Sequence, residues 1–199
     1  MKKILHVISS PRGEQSLSIK LGHAIIDRLE QENPGSTITE LNLVKLQFPH
    51  LEESQITSFY TPAEKRTEAN REAVRHSDES IQQLRDADII VIGAPLYNFG
   101  IHSALKAWID HIVRAGVTFS YSDKGPEGLV KNKKVYLVIS SGAVYSEGPL
   151  KSADFVEPYL RYILSFIGLS DITTVRVEGS SIPGIKEHAL QKAIDSITV

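Results

Sequence analysis

Residues 88–112 read DIIVIGAPLYNFGIHSALKAWIDHI and contain a strand, a loop and a helix in close succession. The run Asp88–Ala94 is short and continuously apolar, which is typical of a strand buried on both faces. The loop Pro95–Ile101 follows it. A helical stripe then begins at Ser103 and ends before Gly116, with apolar residues at Leu105, Trp108, Ile109 and Ile112. This order predicts one unit of a parallel α/β sheet.

Similar apolar runs recur along the chain and predict four more strands: Ile4–Ile8, Val135–Ile139, Ile172–Val177 and the alternating, more exposed Thr37–Leu41. Helical periodicity lies between them, over Leu17–Leu29, 63–85, Pro158–Phe166 and 187–197. The segment 63–85 is highly charged, so we expect a solvated helix there. Strands that alternate with helices predict an α/β fold with a doubly wound, five-stranded parallel sheet and helices on both faces.

The composition restricts the class of protein. At 199 residues and 41% hydrophobic content, the chain suits a single domain spanning residues 1–199. The net charge of -2, with scattered Lys and Arg, argues against nucleic acid or an anionic membrane as partner. The absence of cysteine excludes disulfides and thiolate chemistry. The run Ile4–Ile8 is shorter than a secretory signal requires, so we expect a soluble, cytoplasmic protein.

Loops at the carboxyl ends of the strands are the expected ligand site of a doubly wound sheet. The first, SSPRGEQSLS at 9–18, places hydroxyl groups at Ser10, Ser16 and Ser18 around the start of a helix. Helix N-termini favour anions, so this loop predicts a phosphate site. The loop has neither a P-loop nor a Rossmann glycine pattern. Simple capping of the helix by Ser16 or Ser18 would explain the same residues.

The second and third loops point to a flat ligand. Pro95–Ile101 holds Tyr97, Asn98 and Phe99, which offer apolar faces and polar groups to a heteroaromatic ring. The alternative is that Tyr97 and Phe99 are core or dimer residues. The loop 140–145, SSGAVY, is small enough for the edge of a ring to approach its backbone, although an ordinary turn would look similar. Together the three loops predict a mononucleotide with a large aromatic head.

Three segments in this order and spacing resemble the FMN-dependent NADH-azoreductase family of flavodoxin-like homodimers: SSPRGEQSLS, APLYNFGIHSALKAWIDHIVRAGVTFSYSDKGPEGLV and SSGAVYSEGP. The resemblance covers nearly the whole chain and implies a flavodoxin-like fold with one FMN per subunit. It assigns the phosphate to Ser10 and to Ser16, Leu17 and Ser18. It assigns the flavin ring and ribityl chain to Pro95, Leu96, Tyr97, Asn98 and Phe99, and the pyrimidine side to Ser140, Ser141, Gly142 and Ala143.

The resemblance also implies an activity. FMN would carry out the chemistry, with no catalytic side chain, in a two-electron, ping-pong hydride transfer from NADH to quinones or aromatic azo compounds. Candidate walls of the substrate site are Phe99, Tyr121 and Phe166, some of them from the second subunit of a homodimer. Rival interpretations are a flavodoxin-like electron carrier, an NAD(P)H-dependent FMN reductase and a flavin-free regulatory module.

Tyr145 and the histidines need separate comment. Tyr145 stands where some relatives carry a histidine near the flavin, and tyrosine cannot become cationic near neutral pH. The seven histidines show no zinc spacing, so we expect no metal and consider most of them surface or satisfied packing residues. His102, just after the second loop, is the one histidine that we consider for contact with substrate.

Overall fold

A computed structural model describes residues 1–199. Five parallel strands form one sheet in the order β2-β1-β3-β6-β7, and two short antiparallel strands, β4 and β5, form a separate hairpin. The strands are β1 (Lys3–Ile8), β2 (Thr37–Asn42), β3 (Ile89–Pro95), β4 (Phe119–Ser122), β5 (Gly125–Gly128), β6 (Lys134–Ser140) and β7 (Asp171–Val177). The predicted five-stranded parallel sheet is confirmed, and each predicted strand lies within one residue of its observed bounds.

Helices cover both faces of the sheet. They are α1 (Leu17–Glu32), α2 (Glu53–Tyr60), α3 (Glu68–Asp86), α4 (Ser103–Ile112), α5 (Glu157–Phe166) and α6 (Ala189–Asp195), with 3-10 turns at Gly13–Gln15, Ala63–Lys65 and Gly148–Ala153. One apolar cluster joins α1 and α6 to one face, and a larger cluster joins α3, α4 and α5 to the other. Because both faces are covered, the central strands are apolar along most of their length. No helix combines the length and the apolar character needed to span a bilayer.

Helix α3 differs from its sequence-based expectation in two ways. It begins at Glu68 rather than at residue 63, because Thr67 and Asn70 form a capping box and Ala63–Lys65 is a separate 3-10 turn. It is also not fully solvated. A narrow stripe that includes Val74, Ile81 and Leu84 is buried, which is enough to attach a strongly charged helix to the sheet.

Two elements have no clear signal in the sequence. Helix α2 is short, and only Ser58 among its residues is buried. The β4–β5 hairpin is rich in glycine and polar residues, so its strands lack an apolar pattern. Tertiary contacts hold this hairpin instead. The Phe119 ring packs on Phe166 with 4.6 Å between centroids, and the Val130 N–H, just beyond β5, donates to the Ile167 carbonyl.

The winding of the chain reverses between β1 and β3, two neighbouring inner strands of the sheet. The chain leaves β1 for α1 on one face and leaves β3 for α4 on the other. This arrangement opens a crevice at the carboxyl ends of the two strands, which is where ligands bind in open α/β sheets.

Candidate functional site

A small cavity of about 80 Å³ lies at the carboxyl ends of β1, β3 and β6. Nine of the residues predicted for the site line it: Ser10, Ser16, Leu17, Pro95, Leu96, Tyr97, Ser140, Ser141 and Gly142. All three predicted loops therefore meet at one place. Of the remaining predicted residues, Ser18 lies behind the cavity wall and Asn98, Phe99 and Ala143 lie outside its lining.

The start of α1 presents hydrogen-bond donors to this cavity. Ser16 is the N-cap residue, and its hydroxyl oxygen accepts from the Ile19 N–H at 3.4 Å. The N–H groups of Leu17 and Ser18 donate to no backbone or side-chain oxygen of the chain, as is usual in a first helical turn. The capping role and the anion site are thus compatible, because Ser16 satisfies only one of the free donors.

Two other serines of the first loop are structural. The Ser9 hydroxyl is fully buried and donates to the Gly93 carbonyl at 2.6 Å, which ties the end of β1 to β3. The Ser18 side chain is also fully buried, and its hydroxyl lies 3.0 Å from that of Ser16. The Ser18 side chain therefore orients Ser16 and does not line the cavity.

Arg12 is a site residue that the sequence analysis missed. It lines the cavity, is exposed, and its guanidinium has no hydrogen bond or ion pair within the chain. An unpaired guanidinium beside free helix N–H groups can bind two oxygens of a phosphate. The first loop therefore combines a cationic side chain with the serine hydroxyls and the free N–H groups at the start of α1.

The second loop contains an unusual turn. Tyr97 and Gly100 exchange two backbone hydrogen bonds of 3.0 Å, and the central residues Asn98 and Phe99 have positive φ angles of 49° and 67°. This geometry matches a type I′ turn, in which a phenylalanine is rare. The turn leaves Phe99 half exposed beside the cavity, with its side chain free to contact a ligand or a second subunit. Strain retained at such a position is typical of functional sites.

The third loop is held by the segment that follows β7. The Gly179, Ser180 and Ser181 N–H groups donate to the Ala143, Ser141 and Gly142 carbonyls. A Cβ at Gly142 would lie 2.9 Å from the Ser181 hydroxyl, so glycine permits this close approach. Ser180 also lines the cavity. Sequence analysis missed Ser180, although the rule on strand ends applies equally to the carboxyl end of β7.

A network of ion pairs around Arg176 holds the end of the third loop in place. Arg176 of β7 contacts the carboxylates of Asp154, Glu157 and Glu178. The Glu178 carboxylate in turn accepts from the backbone N–H groups of Tyr145 and Ser146 at 2.7 and 2.9 Å. This chain of contacts fixes the backbone of Tyr145, whose buried side chain lies 6.4 Å from the Phe99 ring between centroids.

Acid is expected to weaken this network. Burial favours the neutral form of Glu157, but hydrogen bonds from Thr174, Arg176 and Arg161 outweigh it and lower its pKa from 4.5 to about 2. The unfolded chain binds this proton more readily, so the stabilisation is complete above about pH 4.5 and is lost as the pH falls toward 2.

Between pH 4.5 and pH 2, we expect the melting temperature of Glu157→Gln to fall less than that of the wild type. A decline equal to that of the wild type would contradict this role.

Two predicted substrate residues lie far from the cavity within one subunit. Phe166 ends α5, and Tyr121 lies on the hairpin that packs there. The chain beyond Phe166 leads directly into β7, which begins at Asp171 beside Lys134, at the amino end of β6. The cavity lies at the opposite end of β6, at Ser140. A seven-residue strand spans roughly 20 Å, so one chain does not bring Tyr121 or Phe166 to its own cavity.

His102 has a structural role in this arrangement. Its Nδ1 atom accepts from the Ala104 N–H at 3.2 Å and so caps α4. Desolvation lowers the pKa of His102, which keeps the imidazole neutral and able to accept at pH 7. Its ring lies 5.8 Å from that of Tyr97, between centroids. The side chain therefore caps α4 and contacts the second loop.

Comparison with known proteins connects this site to a family. The family model for the flavodoxin-like fold matches residues 2–198. An FMN-dependent NADH:quinone oxidoreductase of Herminiimonas arsenicoxydans is 48% identical over 179 residues, which cover 90% of this chain and 88% of that protein.

Solved structures agree with this assignment. An azoreductase from Bacillus anthracis str. Sterne superimposes with a TM-score of 0.90 at 33% identity, covering 98% of this chain and 96% of that one. An FMN-dependent NADH-azoreductase from Bacillus anthracis str. Ames Ancestor, in complex with FMN, has a TM-score of 0.87 at 26% identity, covering 98% and 95% of the two chains.

Proposed function

Because this chain belongs to the flavodoxin-like fold family, among the FMN-dependent NADH:quinone oxidoreductases and azoreductases, we propose that it reduces quinones or aromatic azo compounds with electrons from NADH. The cofactor is FMN. The observation that carries the proposal is the meeting of the serine-lined start of α1, Arg12 and the two other loops around one cavity. We propose further that residues 1–199 act as one domain and work in the cytoplasm, where NADH is available.

The first loop has the donors that a phosphate monoester requires. Ser10, Arg12, Ser16 and Leu17 line the same cavity, and the N–H groups of Leu17 and Ser18 have no partner within the chain. Charge-assisted hydrogen bonds of this kind are among the strongest that proteins make to anions. These residues would hold the FMN phosphate.

The second and third loops suit the rest of the cofactor. Pro95, Leu96 and Tyr97 supply a mainly apolar wall, and Asn98 and Phe99 extend from the turn beyond it. Ser140, Ser141 and Gly142 form the opposite side, and Ala143 follows them just outside the lining. The Ser141 hydroxyl donates to the Ala143 carbonyl at 2.7 Å, so this loop keeps its shape without a ligand and leaves backbone groups for the polar edge of a ring.

FMN, when bound, supplies two-electron transfer between NADH and the acceptor. The chain orients its substrates: the exposed Phe99 ring offers a flat surface to planar donors and acceptors. The fixed turn at Asn98 and Phe99 keeps that surface in place. The cavity lining contains no histidine and no carboxylate. We propose that the protein positions its substrates and leaves proton transfer to solvent.

We propose that the protein works as a homodimer. Aromatic side chains lie exposed on the face that carries α5 and the hairpin, including Phe155, Tyr162 and Tyr121, with exposed fractions of 62%, 73% and 72%. The Phe155 N–H donates to the Phe99 carbonyl at 3.3 Å, so this face continues into the second loop. Exposed aromatic residues of this kind mark interfaces. A second subunit would bring Tyr121 and Phe166 to the cavity that they do not reach within one chain.

The double variant Phe155→Asp/Tyr162→Lys is expected to be monomeric, because charges replace two exposed aromatic rings of the proposed interface. Light scattering after size exclusion would then give the chain mass of 22.0 kDa instead of twice that value. The control is Ile38→Lys, on the edge strand β2, which should remain dimeric. A wild-type protein that is monomeric at micromolar concentration would contradict the proposal.

The function is tested with purified protein, FMN, NADH and a soluble quinone, with no partner protein present. We expect NADH oxidation that depends on the quinone, with parallel lines in double-reciprocal plots. An azo dye and free FMN, used as alternative acceptors, distinguish this activity from an FMN reductase. A protein that binds FMN but oxidises NADH only when a redox partner protein is added would instead be an electron carrier.

A further inference from the structure

A cluster of possible metal ligands lies away from the flavin loops, on the face of the sheet that α1 covers. His6 of β1 pairs in register with Glu40 of the neighbouring edge strand β2. His23 of α1 lies above them, with its ring 5.2 Å from that of His6 between centroids. One ligand atom from each of the three side chains lies within 4.8 Å of the others. Three separate elements thus bring two imidazoles and one carboxylate together.

His6 is the unusual member of this cluster. Its side chain is buried, with 1% exposed, and its Nε2 atom has no hydrogen-bond partner. Buried polar atoms without a partner are rare in native proteins and call for an explanation. We expect most of the histidines to be surface or satisfied packing residues, and His6 is neither.

Gly22 makes room for this imidazole beneath α1. A Cβ at position 22 would lie 2.6 Å from the His6 Nε2 atom, so an alanine there would displace the ring. The His6 ring is therefore held in place between β1 and α1.

We propose that His6, His23 and Glu40 bind a divalent transition-metal ion of the Zn²⁺, Co²⁺ or Ni²⁺ type. Two imidazole nitrogens and one carboxylate oxygen suit these ions, whereas Mg²⁺ and Ca²⁺ prefer oxygen ligands alone. In a tetrahedral site with bonds of about 2.1 Å, ligand atoms lie roughly 3.4 Å apart. His23 and Glu40 are exposed, so their side chains are free to move inward while His6 stays fixed.

The site connects α1 to the first two strands of the sheet. Because it is assembled only in the folded chain, metal binding stabilises the fold by mass action. Three protein ligands leave one position for water. The ion would also hold α1, whose first turn carries the phosphate donors, so it would restrain that helix without touching the flavin.

The test uses the FMN-loaded full chain after removal of metal with a chelator. Zn²⁺ at about 100 times its dissociation constant should raise the melting temperature by roughly 5 °C or more, and calorimetry should give one ion per chain. Co²⁺ should produce visible absorption bands typical of tetrahedral coordination by nitrogen and oxygen.

Variants locate the ion without disturbing the core. His23→Gln and Glu40→Gln alter exposed side chains and should each weaken Zn²⁺ binding at least tenfold. His188→Gln, which removes an exposed histidine on the approach to α6, should bind Zn²⁺ as the wild type does. Absence of Zn²⁺ binding to the wild type, or unchanged binding in both His23→Gln and Glu40→Gln, would overturn the proposal.

Discussion

Replacing Arg12 with glutamate is expected to weaken FMN binding by a factor of about 100 or more. Arg12 is the cation that lines the cavity, and no other group of the chain pairs with it. The change removes a charge-assisted contact of about 1.5–3 kcal/mol and places a carboxylate beside a phosphate dianion. Quenching of flavin fluorescence on titration into apoprotein measures the dissociation constant directly.

Two further variants distinguish a direct contact between Arg12 and the phosphate from the effect of the protein's net charge. Lys65→Glu makes the same change in net charge at an exposed residue of the 3-10 turn Ala63–Lys65, outside the cavity lining, and its affinity for FMN should stay within about twofold of the wild type. Arg12→Gln should lie between the wild type and Arg12→Glu. If Arg12→Glu and Lys65→Glu bound FMN equally well, Arg12 would have no part in the phosphate site.

The Gly128→Ala variant should be strongly destabilised, by about 3 kcal/mol or more. A Cβ at residue 128 would lie 2.1 Å from the Gly168 backbone nitrogen, and its next neighbours are also backbone atoms of residues 167 and 168. Backbone cannot rotate away as a side chain does, so the hairpin must separate from the end of α5. For a chain of this size the melting temperature should fall by roughly 10 °C.

Gly100→Ala is the matched control for this prediction. A Cβ there would meet only the Tyr97 carbonyl oxygen, at 4.0 Å, and Gly100 does not have a positive φ angle. Its melting temperature should change by no more than about 2 °C. If Gly128→Ala melted within that same interval, the hairpin would not be held by this close backbone contact.

The sheet could be predicted from the sequence because its strands are buried on both faces. The run at 89–94 is apolar throughout, and only a covered parallel strand requires that composition. The start of α1 was also predictable, since Ser16 has the chemistry of an N-cap residue. Such features depend on residues close together in the chain.

The features that could not be predicted from the sequence depend on residues that only the fold brings together. Arg12 was visible in the sequence, but its position at the cavity follows from the path of a 3-10 turn. Ser180 joins the site through hydrogen bonds to a loop about forty residues earlier in the chain. The hairpin depends on the contact between Gly128 and Gly168, and two glycines carry no periodic signal. His6 and Glu40 become neighbours only through strand register.

The most direct test compares the affinity of the apoprotein for FMN and for riboflavin, which lacks the phosphate. If Arg12 and the first turn of α1 hold that phosphate, FMN should bind with one equivalent per chain and at least about 100 times more tightly than riboflavin, corresponding to roughly 2.7 kcal/mol. Equal affinity for the two flavins, or no binding of FMN, would contradict the site described for this chain.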